Sequence, residues 1–358
     1  MQVPKYQIVI DWISEEIESG RLRLGDSLPT EYELCRQFNM SRQTIRRATQ
    51  ELVEKKIVTR VQGSGTYVGS VRASRNEKRY MTVAVISTYC DEYIFPSVLR
   101  GIEKGLTQKG YSMQLSFTGN KTGGETRILK RILNNPDVDG IIVEPSRSVL
   151  ENPNIEYYRR IIEKRIPVLF FNDAYASLNA PCIRIDDYKV GADATKLLMW
   201  AGHTSIGGIF KLDDGQGPRR YAGYRDVMNR ELDFLSKHVV WIDTYDQKHL
   251  KELESYVFQR LNGCTAVLCY NDEVAVQLID MATQRGLRVP EDLSVVSIDD
   301  SSLAGSCQVP ITSYAHPKEL LGEKVAENLI RKIENPMFDA NYIFQSEPVY
   351  RNSIKYLD

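Results

Sequence analysis

The sequence predicts an α/β protein with a small helix-turn-helix domain in front and two doubly wound lobes behind it. Three observations carry that prediction. Residues Ser41 to Val53 alternate at helical period between an apolar face and an arginine-rich one. Ile57 to Val68 reads as two β-rich arms around a glycine-containing tip. From Met81 onward, short apolar runs recur with helical patterns between them, the texture of parallel sheets covered by helices.

Taken in order, Tyr6, Val9, Ile10, Ile13 and Ile17 give the spacing of an amphipathic helix that stops near Gly20. Gly25 to Pro29 is a loop. Thr30-Glu31-Tyr32-Glu33 is a capping box opening a short second helix through Phe38. Asn39-Met40 turns tightly into Ser41, a good N-cap, so the third helix begins where its arginines begin. Ile45, Ala48, Leu52 and Val53 share one face, and Arg42, Gln43, Arg46 and Arg47 project from the other. The positive end of the helix dipole and the guanidiniums point together at an anion. Arg and Gln are also the side chains that engage guanine and adenine edges bidentately. This stretch therefore reads as a DNA recognition helix, the second helix of a helix-turn-helix. Gly63 and Gly65 let the hairpin tip approach a phosphate or a minor-groove floor.

Charge supports this reading. The chain of 358 residues has a net charge of only −1, yet residues 36–79 hold eleven basic side chains against Glu51, Glu54 and Glu77. One basic patch on a near-neutral protein suggests a single polyanion-binding surface. No apolar run approaches the ~20 residues that span a bilayer, and Met1 to Lys5 lacks the apolar core of a signal peptide. No membrane partner and a cytoplasmic location are expected. Six cysteines without CxxC spacing predict neither a metal site nor disulfides. Boundaries are expected at 1–69 for the head, 70–80 for a polar, basic linker, and 81–358 for the large domain.

The head resembles the winged-helix domain of GntR-family repressors. The resemblance rests on Leu28-Pro29-Thr30-Glu31, then Ser41 to Ala48, then Gly63-Ser64-Gly65-Thr66-Tyr67-Val68, in the family's order over about the first 70 residues. It implies DNA contacts from Arg42 and Arg46, with the wing tip, Gln62 to Gly65, in the minor groove. By the same resemblance Lys5, Glu31, Ser41, Gln43, Thr44, Ser64 and Thr66 join the DNA-binding set.

In the large domain, nine runs read as strands: 83–87, 113–117, 140–143, 168–171, 183–185, 207–210, 239–242, 266–270 and 294–299. Nine are many for one sheet, so two lobes fit better. Ligands in such sheets bind beyond the carboxyl ends of strands. There stand Tyr89, Tyr93 and Phe95, then Glu144, Asn172 and Asp173, and in the second half Lys211, Asp213, Asn271, Asp272, Asp299 and Asp300. Carboxylates, amides and cations beside aromatic rings suit a neutral, hydroxyl-rich ligand.

This part resembles the effector domain of LacI-type repressors, which has the periplasmic sugar-binding fold. Arg220-Tyr221-Ala222-Gly223-Tyr224, Tyr270-Asn271-Asp272-Glu273, the run from Gly286 to Val296 and Ile298-Asp299-Asp300 carry that likeness, with Ser297 where the family usually has Gly. The resemblance implies Arg220, Asn271, Asp272 and Asp299 as ligand residues, with Asn172 and His316 beside them. The full expected ligand set is Tyr93, Phe95, Glu144, Asn172, Lys211, Arg220, Asn271, Asp272, Asp299 and His316. A GntR-type head on a LacI-type body is similar to the arabinose repressors of Gram-positive bacteria. That implies a homodimer on a near-palindromic operator in double-stranded DNA, released by a small sugar, L-arabinose; another pentose or a purine-like metabolite is the alternative. No P-loop, GxGxxG after a strand or HExxH occurs, and His203, His238, His249 and His316 are unclustered. No catalytic residue, cofactor or enzyme activity is expected.

Overall fold

The computed structural model describes residues 4–19, 21–22, 25–55, 57–61, 63–69, 80–90, 93–232 and 236–357. It divides into two compact units, Met1–Arg79 with Arg331–Asp339, and Tyr80–Ile330 with Ala340–Asp358. Of the expected linker only Tyr80 lies within the described residues, and Gln62 lies outside them.

The head comprises α1 (Lys5–Glu18), α2 (Glu31–Phe38), α3 (Arg42–Glu54) and an antiparallel hairpin of β1 (Val58–Val61) and β2 (Gly65–Val68). Local signals set its boundaries. Thr30 and Glu33 close a reciprocal capping box at the start of α2, and Asn39 ends it in the left-handed conformation at φ 50. Ser41 caps α3 by accepting from the Thr44 amide. Val9, Ile13, Leu34, Ile45, Ala48, Leu52, Val58 and Val68 are buried together, so the apolar stripes of all three helices and the hairpin meet in one core.

In the second unit the chain builds β3 (Thr82–Ser87), α4 (Phe95–Thr107), β4 (Ser112–Phe117), α5 (Thr122–Asn134), β5 (Gly140–Val143), α6 (Ile155–Glu163), β6 (Val168–Phe171) and β7 (Cys182–Ile185). It continues with α7 (Asp187–Trp200), β8 (Ile206–Lys211), α8 (Gln216–Glu231), β9 (Val239–Ile242), α9 (Thr244–Lys248), α10 (Glu254–Arg260), β10 (Ala266–Cys269), α11 (Asp272–Gln284), β11 (Ser294–Asp299), α12 (Ser302–Ser306) and β12 (Thr312–Ala315). Helix α13 (Lys318–Glu334), whose residues from Arg331 on belong to the first unit, β13 (Tyr342–Phe344) and β14 (Pro348–Val349) end the chain's elements. Two six-stranded sheets result, ordered β13-β7-β6-β5-β3-β4 and β14-β12-β11-β10-β8-β9. The first is parallel throughout, and only β14 is antiparallel in the second. Strands β5, β6 and β10 are buried along their whole length, as sheets covered on both faces require.

Three strands went unread in the sequence. Thr312-Ser313-Tyr314-Ala315 looks polar, yet its hydroxyls and amides find partners inside: the Thr312 amide donates to Ser353 Oγ at 2.9 Å and Ser313 Oγ donates to Asp272 at 2.6 Å. Strands β13 and β14 are edge strands of three and two residues, too short for periodicity to register.

The chain passes between the lobes three times, after β7, after β12 and after β13. These crossings are tied to one another. The Asp186 amide donates to Phe344 O at 3.1 Å, and the Ala315 amide to Glu347 O at 2.9 Å. In the second lobe α7 and α8 cross backbone to backbone. A Cβ at Gly191 would lie 2.1 Å from the Arg220 carbonyl oxygen, and one at Gly223 would lie 2.0 Å from that of Tyr188. Gly191→Ala should therefore destabilise the protein by ~1–3 kcal/mol through overpacking, seen as a lower urea midpoint; an unchanged midpoint would contradict this crossing.

Candidate functional site

Two sites emerge, one in each unit. On the head, the polar face of α3 leaves Arg42, Gln43 and Arg46 exposed, while Thr44 is half-buried and its hydroxyl lies 2.9 Å from that of Ser41. Lys5 is exposed at the start of α1. Glu31 sits at the centre of this face. It accepts from Arg42 Nε at 3.0 Å and from Arg60, and lies 3.5 Å from Arg46 Nε. These guanidiniums hold the Glu31 carboxyl below its usual range, against its partial burial. Arg60, which sequence reasoning passed over as a strand residue, is thereby brought to the recognition helix. Arg47 turns away and stacks over the Tyr6 ring at 4.3 Å. At the hairpin tip Ser64 Oγ lies 2.6 Å from the Tyr67 hydroxyl, and Gly65 adopts φ +136, a backbone that only glycine holds comfortably. The tip thus combines exposed backbone with a fixed shape.

In the second unit a cavity of about 370 Å3 lies between the two lobes, at the carboxyl ends of both sheets. Tyr93, Phe95, Glu144, Asn172, Lys211, Asn271 and Asp299 all line it. Tyr93, from the first lobe, donates to Asp299 Oδ2 in the second at 2.7 Å. Glu144 is buried and accepts from the Thr88 amide at 3.0 Å and from Asn172 Nδ2 at 2.8 Å. Burial pushes its carboxyl upward, and these donors partly offset that. Lys211 Nζ stands 3.2 Å from Asp214, which also accepts from the Tyr270 hydroxyl at 2.6 Å. Asn271 spends its side-chain oxygen on capping α11, accepting from the Val274 amide at 3.1 Å.

Three members of the expected set stand behind the wall rather than in it. Arg220 is 1% exposed and reaches Asp187, the Tyr270 carbonyl oxygen and Asp299 at 3.0, 2.6 and 3.3 Å. Asp272 is fully buried, accepting from Ser297, from Ser313 Oγ and from the Ser301 amide. Ser297, the departure from glycine, is thus a donor to a buried carboxylate. His316 Nε2 contacts Asn172 Oδ1 at 3.2 Å. Conversely, Asn120, Asp214, Thr244, Gln247 and Glu273 line the cavity and were not singled out. Asn120 and Thr244 follow β4 and β9, so the rule of looking beyond strand ends finds them once those two strands are also inspected.

A helix-turn-helix with a wing in one unit, and a two-lobed ligand cleft in the other, define a regulator of transcription that responds to a small molecule. Residues 5–68 match the model for bacterial regulatory proteins of the gntR family, and residues 195–354 match that for the periplasmic binding protein-like domain. The arabinose metabolism transcriptional repressor of Geobacillus stearothermophilus is 35% identical over 99% of this chain and 98% of its own length. That of Halalkalibacterium halodurans is 36% identical over 97% of this chain and 94% of its own length. Solved structures share the fold. The transcription regulator CcpA of Lactococcus lactis gives a TM-score of 0.69 at 24% identity, over 76% of this chain and 99% of its own. A CelR–cellobiose complex gives 0.67 at 21%, over 87% and 90%. The chain belongs to the family of arabinose metabolism transcriptional repressors, with a GntR-type head and a LacI-like body, and is a repressor rather than an enzyme.

Burial pushes His316 down to about 4, below the ~6.5 of an unfolded histidine. The unfolded chain then binds the extra proton between these values, so the contribution of His316 to stability falls as pH drops from about 6.5 to 4, by up to about 3 kcal/mol. His316→Gln should flatten that stretch of the pH–stability curve in urea titrations; an unaltered slope would refute the burial effect.

Proposed function

We propose that this repressor leaves its operator when a small neutral sugar, L-arabinose, occupies the cleft. The observation that carries the reading is the cavity itself. Its volume stands at the small end of the ~300–1,000 Å3 typical of ligand sites. Among the described residues it is lined by five carboxylates (Glu144, Asp173, Asp214, Glu273, Asp299) against two lysines, Lys211 and Lys248. An acidic lining of this kind repels a sugar phosphate and offers many acceptors to hydroxyls. Tyr89, Tyr93, Phe95 and Tyr270 supply rings for the C–H faces of a sugar. The names of the family relatives add arabinose to this chemistry. Within the expected ligand set, Tyr93, Phe95, Glu144, Asn172, Lys211, Asn271 and Asp299 touch the sugar, and Arg220, Asp272 and His316 support them.

On this reading residues 1–69 read DNA, 70–80 connect, and 81–358 sense the ligand in the cytoplasm. Two copies pair so that two heads meet the half-sites of a near-palindromic operator. Lys5, Glu31, Ser41, Arg42, Gln43, Thr44, Arg46, Gln62, Ser64, Gly65 and Thr66 form the DNA-facing set, in which Glu31 orders the arginines.

Thermal shift across pentoses, hexoses and their phosphates tests the ligand. L-arabinose at 100 times its dissociation constant should add ~2.7 kcal/mol of stability and release operator DNA, while sugar phosphates do neither. No response to any neutral sugar would overturn the reading. Separately, Arg42→Ala and Arg46→Ala should each weaken operator binding by ~1–3 kcal/mol, with relaxed preference at one base pair. Equal loss on every DNA sequence would instead assign those arginines to phosphates.

A further inference from the structure

We infer that Asp173 and Arg219 form a clamp across the cleft that sets how readily the lobes close, and hence how much sugar the repressor needs. The inference rests on the proposal that sugar occupies this cleft, and adds that the sugar acts by favouring closure of the two lobes.

Helix α8 begins poorly on its own. It has no side-chain cap at Gly215, no acidic residue in its first turn, and Arg219 and Arg220 near its positive end. Asp214 serves the Gly217 amide at 3.0 Å from the same lobe. The Gly215 amide instead donates across the cleft, to Asp173 Oδ2 at 3.0 Å and to Ser148 Oγ at 2.9 Å. The other carboxylate oxygen of Asp173 accepts from Arg219 Nη1 at 3.0 Å and also from Nη2. One first-lobe carboxylate therefore caps α8 and neutralises the cation that the helix dipole opposes. Arg147 of the first lobe adds a weaker contact, 3.8 Å from Asp213. Parting the lobes leaves α8 only Asp214 at its start, and takes the acceptors of the Gly215 amide and the anion of Arg219 away together. Arg220, the next residue, holds Asp299 in the cavity wall, so the start of α8 is tied both to the opposite lobe and to the ligand site.

A ligand that binds only the closed form has an apparent dissociation constant equal to its intrinsic one divided by the fraction of molecules that are closed. Weakening the clamp should lower the closed fraction and leave the DNA-reading head untouched. Arg219 does not itself line the cavity, although its partner Asp173 does, so Arg219→Gln removes no side chain from the sugar's surroundings. Exchange in the sugar-free protein reads the clamp apart from the pocket, and Arg219→Lys keeps the charge but loses the fork.

Hydrogen exchange of the Asp214–Tyr221 segment in full-length protein without sugar reads the clamp directly, and the L-arabinose concentration for half-release of operator reads its consequence. Arg219→Gln should speed exchange at least fivefold and raise the half-release concentration three- to tenfold, with sugar-free operator affinity no weaker. Arg219→Lys should fall between. Unchanged exchange overturns the clamp, and faster exchange with an unshifted half-release concentration overturns its role in sensitivity. If wild-type protein ignores L-arabinose, the sugar assignment fails instead, and exchange still decides whether the clamp exists.

Discussion

Arg220 carries a full positive charge to a place with 1% exposure, where an unpaired guanidinium would cost several kcal/mol. Everything around it answers that charge. Asp187 opens α7, Asp299 ends β11 and the Tyr270 carbonyl follows β10, so three separate elements must arrive together before the cation is satisfied. The Tyr270 ring lies over the same guanidinium at 4.9 Å. Burial pushes the Asp187 carboxyl up to about 6, even against the pull of Arg220. The glycine crossing of α7 and α8 brings the Arg220 backbone close enough for this, since any Cβ at Gly191 would displace its carbonyl. Fold and site are thus the same constraint in the second lobe: the charge that orders the strand ends also fixes Asp299 in the cavity wall.

Asp299 shows what that order demands. It takes φ 104, and Asp300 follows at φ 44, conformations that cost a non-glycine residue roughly 1–3 kcal/mol each. The turn persists because its neighbours hold it from several sides. Arg220 and Tyr93 bind the Asp299 carboxylate, Lys318 donates to the Asp300 carbonyl at 2.7 Å, and Arg351 binds the Asp300 side chain at 2.6 Å. Strain concentrated at a cleft wall and overdetermined from outside is how a fold keeps acceptors pre-aimed, so that binding need not order them.

Sequence reasoning reached the parts whose physics is local. Ser41 and the capping box at Thr30 fix helix starts within a few residues, and the 3.6 period of Ile45, Ala48 and Leu52 separates core from reading face without reference to anything distant. The cleft was legible because parallel strands all end on one side, so residues following β3, β5, β6, β8, β10 and β11 converge. Depth was not legible. Arg220, Asp272 and His316 belong to the neighbourhood, but only three-dimensional packing shows them spending their polar atoms on Asp187, Ser313 and Asn172 behind the wall. Arg60 was invisible for the same reason, since nothing in β1 announces that Glu31, 29 residues earlier, will draw it to α3.

The cross-lobe contacts change what a ligand has to accomplish. Moving a two-state equilibrium from 1:99 to 99:1 takes ~5.5 kcal/mol of preference for one state. A small ligand has few atoms with which to supply that, and each of its polar groups must first give up water. Contacts such as Asn120 Nδ2 to Thr244 Oγ1 at 2.8 Å and Gly215 to Asp173 join the lobes through protein groups alone. They bring closure nearer to balance before any sugar contributes, so the preference required of the ligand shrinks to the remainder. Selectivity then rests on the cavity's polar groups. Glu144, Asp214 and Asp299 already hold protein donors in the cleft, so a ligand that displaces one of those donors without replacing its hydrogen bond leaves a buried carboxylate short of a partner. That penalty discriminates more sharply than any apolar contact of the same size.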